Sequence, residues 1–255
     1  MDVFRALLHD SAGPGQVRDV PAHRALLDSA HGWVVGPLVV DDERLAGFDA
    51  AADVPLDVRV GGGAGGIAAL ARRAGGLRLV AAETLLRDLD DLAGNATRVV
   101  AAAAELPEGV DVFVGLPGTP GTVGAVEVVE AAGLLARIDL SGAGAVPRPA
   151  ELLSVLVEAD LEFKATGLGT EPFGPYGVVA VLMAVEALVD GAEPKDAEAL
   201  LAEVDEHRAG IALSAWDTST ADRVRRRLRG VDCVDVVATL ERLAGAGLLS
   251  LPDGA

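Results

Sequence analysis

Lysine occurs only twice in this chain, against nineteen arginines, and one of the two lies inside an apolar run, Leu161-Glu162-Phe163-Lys164-Ala165-Thr166. The other, Lys195, sits in the polar segment Glu193-Pro194-Lys195-Asp196. Arginine evidently meets most needs for positive charge here. A lysine within an apolar strand therefore suggests something arginine cannot do, which is to lose its proton and attack a carbonyl. Desolvation and a nearby cation such as Arg137 would lower its pKa, giving a Schiff-base nucleophile for a small oxo-substrate. In that reading Asp139 or Glu162 moves protons, Thr166 or Ser141 holds a substrate hydroxyl, and Glu83 completes the catalytic set. It needs no cofactor and no metal. The alternative is an internal ion pair of Lys164 with Glu162 or Asp139 that serves packing alone.

A second chemistry is offered by Gly61-Gly62-Gly63-Ala64-Gly65-Gly66, which follows an apolar strand and opens a helix. Gly61, Gly63 and Gly66 fit the G-x-G-x-x-G spacing, and Glu83 closes the next strand. In a dinucleotide fold these glycines admit a pyrophosphate to the helix N-terminus and the glutamate holds the ribose. In a barrel the same segment is a tight loop whose amides could hold an anion. Trp216 and Asp217 end an apolar run and are candidates for a pocket floor and an acid, with helix capping the alternative for Asp217. Asp41-Asp42 reads as a helix cap. Cys233 reads as a small buried residue, and His9, His23, His31 and His207 have no metal-ligand spacing.

These residues need a scaffold. Strands are predicted at Trp33–Val40, Leu56–Val60, Leu77–Ala82, Val110–Leu116, Leu134–Leu140, Leu161–Thr166, Ile211–Trp216 and Val231–Val234. Helical patterns fall between them, among them Asp42–Ala52, Tyr176–Val189 and Asp196–His207. Such alternation predicts an α/β fold, a single (βα)8 TIM-type barrel, with an open doubly wound parallel sheet as the alternative. One domain is expected over 1–255. Residues 1–31 would be a helical extension covering the barrel, and 32–255 the barrel itself. Along three strands one face is apolar and the other charged: Asp57 and Arg59, then Arg137 and Asp139, then Glu162, Lys164 and Thr166. In a barrel the apolar face meets the helices, so the charged face should line the interior and its C-terminal mouth.

Composition narrows the partners. A net charge of −18 disfavours nucleic acid and anionic membrane, which need clustered cations. The run from Arg223 to Arg229 is the local exception and reads as a solvated helix face. One cysteine permits no internal disulfide, and the N-terminus lacks a signal-peptide pattern, so a cytoplasmic location is expected. A small-molecule substrate fits best. The apolar helix Tyr176–Val189 is either a homodimer patch or a surface covered by Asp196–His207.

Two resemblances bear on the fold. Phe163-Lys164-Ala165-Thr166-Gly167-Leu168-Gly169 resembles the sixth strand of deoxyribose-phosphate aldolase-type barrels, and implies a class I aldolase-like lyase with Lys164 as the imine residue. Most of 33–250 is similar to an uncharacterised bacterial (βα)8-barrel family, at Gly36-Pro37-Leu38-Val39-Val40, at Glu83, at Phe163–Thr166, and in the tail from Gly230-Val231-Asp232-Cys233 to Leu249. The chain departs from that pattern at Arg137-Ile138-Asp139-Leu140-Ser141-Gly142, where Lys-x-Arg-x-Gly-Gly is usual. It departs again at Gly169-Thr170-Glu171, where a His-His pair is usual, and at Gly115, where an acid is common. These losses imply a changed substrate or a barrel with a degenerate, non-catalytic site.

Overall fold

A computed structural model describes residues 2–12, 19–48, 53–141 and 149–249. Eight parallel strands close into a barrel in sequence order: β1 Leu8–Ser11, β2 Val35–Asp41, β3 Leu56–Val60, β4 Leu79–Leu85, β5 Asp111–Gly115, β6 Leu135–Asp139, β7 Phe163–Thr166 and β8 Leu228–Cys233. Strand β1 pairs with both β2 and β8, which closes the ring. The open doubly wound sheet is thereby excluded.

Among the described residues ten α-helices accompany the strands: α1 Val20–Leu27, α2 Gly63–Arg73, α3 Leu92–Ala103, α4 Thr122–Ala131, α5 Pro149–Glu158, α6 Val178–Val189, α7 Pro194–Ala202, α8 Glu206–Ala215, α9 Thr218–Arg227 and α10 Val236–Gly245. Aspartates start several of them. Asp19, Asp91, Asp205, Asp217 and Asp235 each cap a helix by accepting a backbone N–H.

Alternation along the strands decides which side chains face which layer. Leu56, Val58 and Val60 of β3 pack outward with Ile67 and Leu70 of α2, while Phe163 and Ala165 of β7 join the large apolar layer on the other side. The inward positions carry Asp57, Glu83 and Lys164, all but completely buried. Ala81, Phe113 and Leu135 form a separate small apolar cluster, set by the β4–β5 and β5–β6 registers.

Three expectations need correcting. Ile211–Trp216 is not a strand: most of it is the second half of α8, nucleated by the Asp205 cap, with Ala209 and Leu213 buried at helical spacing and Ile211 exposed. The missing strand comes instead from the N-terminal stretch read as helical cover, where Leu8-His9-Asp10-Ser11 is β1. The helix expected over Asp42–Ala52 is a 3-10 turn, Asp42–Gly47, and residues 49–52 lie outside the described set. Of the two readings offered for the apolar helix, α6 shows the covered one in part: it packs against α7 and is buried from Val178 to Leu182. No described helix is long and apolar enough to cross a membrane.

Candidate active site

The inward charges meet at Lys164. Its Nζ donates to Asp57 Oδ2 at 2.5 Å and to Glu83 Oε1, and Asp232 Oδ1 of β8 stands 2.6 Å away. The ammonium is fully buried. Phe113 lies at cation–π distance, its ring centroid 5.8 Å from the nitrogen. Around this core Arg59 donates to Asp232 Oδ2 at 2.5 Å and to Ser11 Oγ at 3.0 Å. Arg137 Nε makes a 2.9 Å ionic contact with Glu83 Oε2 that is not aligned as a hydrogen bond. Three cations face three carboxylates, the balance that burial of so much charge demands.

The electrostatics follow from this packing. Burial opposes the Lys164 charge, but Asp232, Asp57 and Glu83 together outweigh it and raise the lysine pKa far above its ordinary value. These three carboxylate contacts oppose the free amine expected from the sequence. Asp232 is likewise pushed up by burial, yet Lys164 and Arg59 hold it below the usual carboxylate range. Glu83 is the exception: burial and the adjacent Asp57 charge raise it to about 7, against the pull of Lys164.

A pocket of about 240 Å³ opens at the C-terminal mouth beside this cluster, lined by Asp41, Asp42, Glu43, Arg59, Val60, Gly61, Glu83, Thr84, Leu85 and Arg137. Glu83 and Arg137 thus belong to both the ionic core and the pocket, whereas Lys164 is not among the lining residues. Arg137 brings a guanidinium to the pocket wall, a group suited to receive an anion.

The other expected site residues are engaged elsewhere. Asp139 is exposed, and its Oδ1 accepts from Ser141 N at 2.9 Å and Ser141 Oγ at 2.6 Å in a local turn. Thr166 Oγ1 donates to the Ile138 carbonyl at 3.1 Å. Glu162 faces outward and accepts from Arg229 at 2.8 Å. Trp216 and Asp217 link α8 to α9, with Asp217 capping α9 through Thr220 N at 2.7 Å, because no strand ends there. Cys233 is partly buried against Thr239, and burial pushes its thiol up to about 11.

The glycine loop is a tight barrel turn. Gly63 has φ of +61°, and a Cβ on Gly66 would lie 2.3 Å from the Val60 side chain, so both positions require glycine. The Gly61 amide approaches Asp42 Oδ1 at 3.5 Å, and Asp42 is held by Arg73 at 3.2 Å, so a carboxylate of the chain already occupies that approach. With the strands in sequence order around a closed ring there is no crossover point at which a dinucleotide crevice forms.

Two participants escaped the sequence reading. Asp232 lay in a segment read only as a short strand, and His9 lay in a strand not recognised. His9 Nδ1 is 3.1 Å from Asp57 Oδ2, the same oxygen that Lys164 uses. Among the described residues no group of three His, Cys, Asp or Glu side chains is arranged to hold a metal ion.

Fold and interior together define a parallel (βα)8 barrel with a charged layer across its lumen. No family model and no curated protein matches the chain. A solved structure similar to it is the Xanthomonas albilineans dihydropteroate synthase in complex with indole-2-carboxylic acid and 6-chloroguanine, at 18% identity and a TM-score of 0.28, covering 98% of this chain and 95% of that one.

Proposed function

We propose that this chain is a barrel enzyme of the lyase or isomerase type that moves a proton on a small anionic oxo-substrate. Glu83 is the acid–base group, Arg137 holds the anion, and Lys164 acts as a fixed ammonium rather than as an imine-forming nucleophile. The observation that carries the reading is Glu83 itself. It is a carboxyl poised near neutrality, in contact with a buried cation on one oxygen and with a pocket-lining arginine on the other.

An anionic group that takes the Arg137 fork competes with Glu83 for that cation, so binding would free the carboxyl to act. Glu83 then removes a proton α to the substrate carbonyl, the electron pair moves onto the carbonyl oxygen, and Arg137 and Arg59 offset the enolate charge. The aldolase-like imine requires Lys164 to leave three carboxylates and lose its proton, which the same contacts oppose. A barrel that keeps its ionic layer only for packing is the competing reading, favoured by the balance of three cations with three carboxylates.

Incubation in D2O with a panel of short 2-oxo acids and phosphorylated hydroxy-aldehydes tests this by NMR. Deuterium should enter the α-position of at least one compound with the wild type and not with Glu83→Gln, and borohydride should trap no adduct on Lys164. Absence of exchange and of thermal stabilisation across the panel would leave the packing reading standing. A trapped Lys164 adduct would restore the imine.

A further inference from the structure

The barrel contains a histidine slot that the mechanism above does not use. On β1, His9 points into the lumen beside Asp232 of β8, its register partner. Two neighbours lack side chains where the ring sits. A Cβ on Gly36 of β2 would lie 2.7 Å from His9 Cδ2, and one on Gly230 of β8 would lie 2.2 Å from Nε2. A side chain at either position would force the imidazole to shift from its present place.

Within that slot the ring has one polar task that geometry makes visible. Asp57 Oδ2 lies 3.1 Å from His9 Nδ1 and accepts from Lys164 Nζ at 2.5 Å, so one oxygen joins the imidazole to the ionic core. An ionised carboxylate only accepts, which fixes the proton of a neutral His9 on Nδ1.

We propose that His9 is a positioning residue for Glu83, acting through Asp57. Its Nδ1–H orients Asp57 so that Oδ2 stays on the Lys164 ammonium, and so fixes the position of the carboxylate beside Glu83. The imidazole pKa is lowered, first by burial and then by Lys164, which keeps the ring in the neutral, donating form. The Asp57 charge is in turn the largest influence after burial holding Glu83 up. The charged groups that bear on His9 are Asp57 on β3, Glu83 on β4, Lys164 on β7, Asp232 on β8 and Arg225 at the foot of α9.

This inference rests on the acid–base reading of Glu83, and its test needs no substrate. Carboxyl-13C glutamate labelling, with Glu83 assigned from Glu83→Gln, gives the Glu83 titration midpoint by NMR. His9→Leu removes the donor at similar volume, so the Asp57 carboxylate should lose its fixed place beside Glu83 and the Glu83 midpoint should fall by about one pH unit or more. His9→Asn keeps an N–H near the Nδ1 position and should return it to within about half a unit. A midpoint unmoved in His9→Leu overturns the proposal. A wild-type midpoint near that of an ordinary glutamate instead overturns the acid–base reading itself.

Should His9→Leu fail to fold, long-range 1H–15N spectra of the wild type decide. At about pH 7 a neutral ring protonated on Nδ1 is expected. An imidazolium, or a ring protonated only on Nε2, contradicts the proposal.

Discussion

The lumen around Lys164 and the outer face of α9 hold the same chemical groups under opposite conditions. In the lumen the carboxylates of Asp57, Glu83 and Asp232 each lie out of water within 2.6 Å of Lys164 Nζ. On α9 Arg223 pairs with Asp190, Arg227 with Asp160, and the following Arg229 with Asp111 and Glu162, with most of these side chains substantially exposed. Water screens the second set, so each pair there contributes little. The lumen set is unscreened, and loss of one member leaves the others uncompensated. Cationic residues are concentrated on α9 and sparse in the lumen, yet the sparse ones carry the site.

The sharpest way to break this contrast is Lys164→Met, which leaves three carboxylates facing each other in the lumen. A loss of about 4 kcal/mol or more is expected from urea denaturation. An unchanged midpoint would mean the lumen behaves like the surface.

The pH dependence sharpens the contrast next. Glu83 is raised from 4.5 to about 7, so folding holds a proton there that the unfolded chain releases near 4.5. Its contribution is full below about 4.5 and is lost as pH rises through about 7, on the order of 3 kcal/mol. His9 has the opposite sense, because its depressed imidazole favours folding above 6.5 and that share is lost as pH falls through its lowered value. Denaturation midpoints of Glu83→Gln between about pH 5 and pH 8 should accordingly vary less steeply than those of the wild type. Parallel curves would remove Glu83 from the role assigned to it.

A smaller effect is expected for Gly230→Ala, whose methyl meets the His9 ring. A cost of about 2 kcal/mol should appear in thermal or urea unfolding. Smallest is Arg229→Ala on the surface side, within about 1 kcal/mol and vanishing in roughly 1 M salt.

Alternation along β3, β6 and β7 made Asp57, Arg59, Arg137 and Lys164 legible as inward residues before any coordinates, and the strand–helix rhythm gave the closed barrel. Glu83 was visible only as the acid ending its strand. What could not be read was range: Asp139, Ser141 and Thr166 looked equally well placed, but short side chains beside a turn or a carbonyl satisfy themselves locally. His9 and Asp10 hid β1 because a four-residue strand with polar side chains on both faces has no apolar period. Asp10 points outward to His23 of α1, 3.0 Å away, and that pairing across thirteen residues leaves no mark on the sequence. Ile211–Trp216 misled for the reverse reason, since a short Ala-rich apolar run fits helix and strand alike.

The protonation of Lys164 decides between a fixed ammonium and a nucleophilic amine, and the chain's two lysines make it directly measurable. With 13Cε-lysine labelling only Lys164 and Lys195 contribute signals, and Lys195→Arg assigns them. The Lys164 signal should stay at its ammonium position up to about pH 11, as three carboxylates require. A midpoint below about pH 9 would contradict this and return Lys164 to the role of nucleophile.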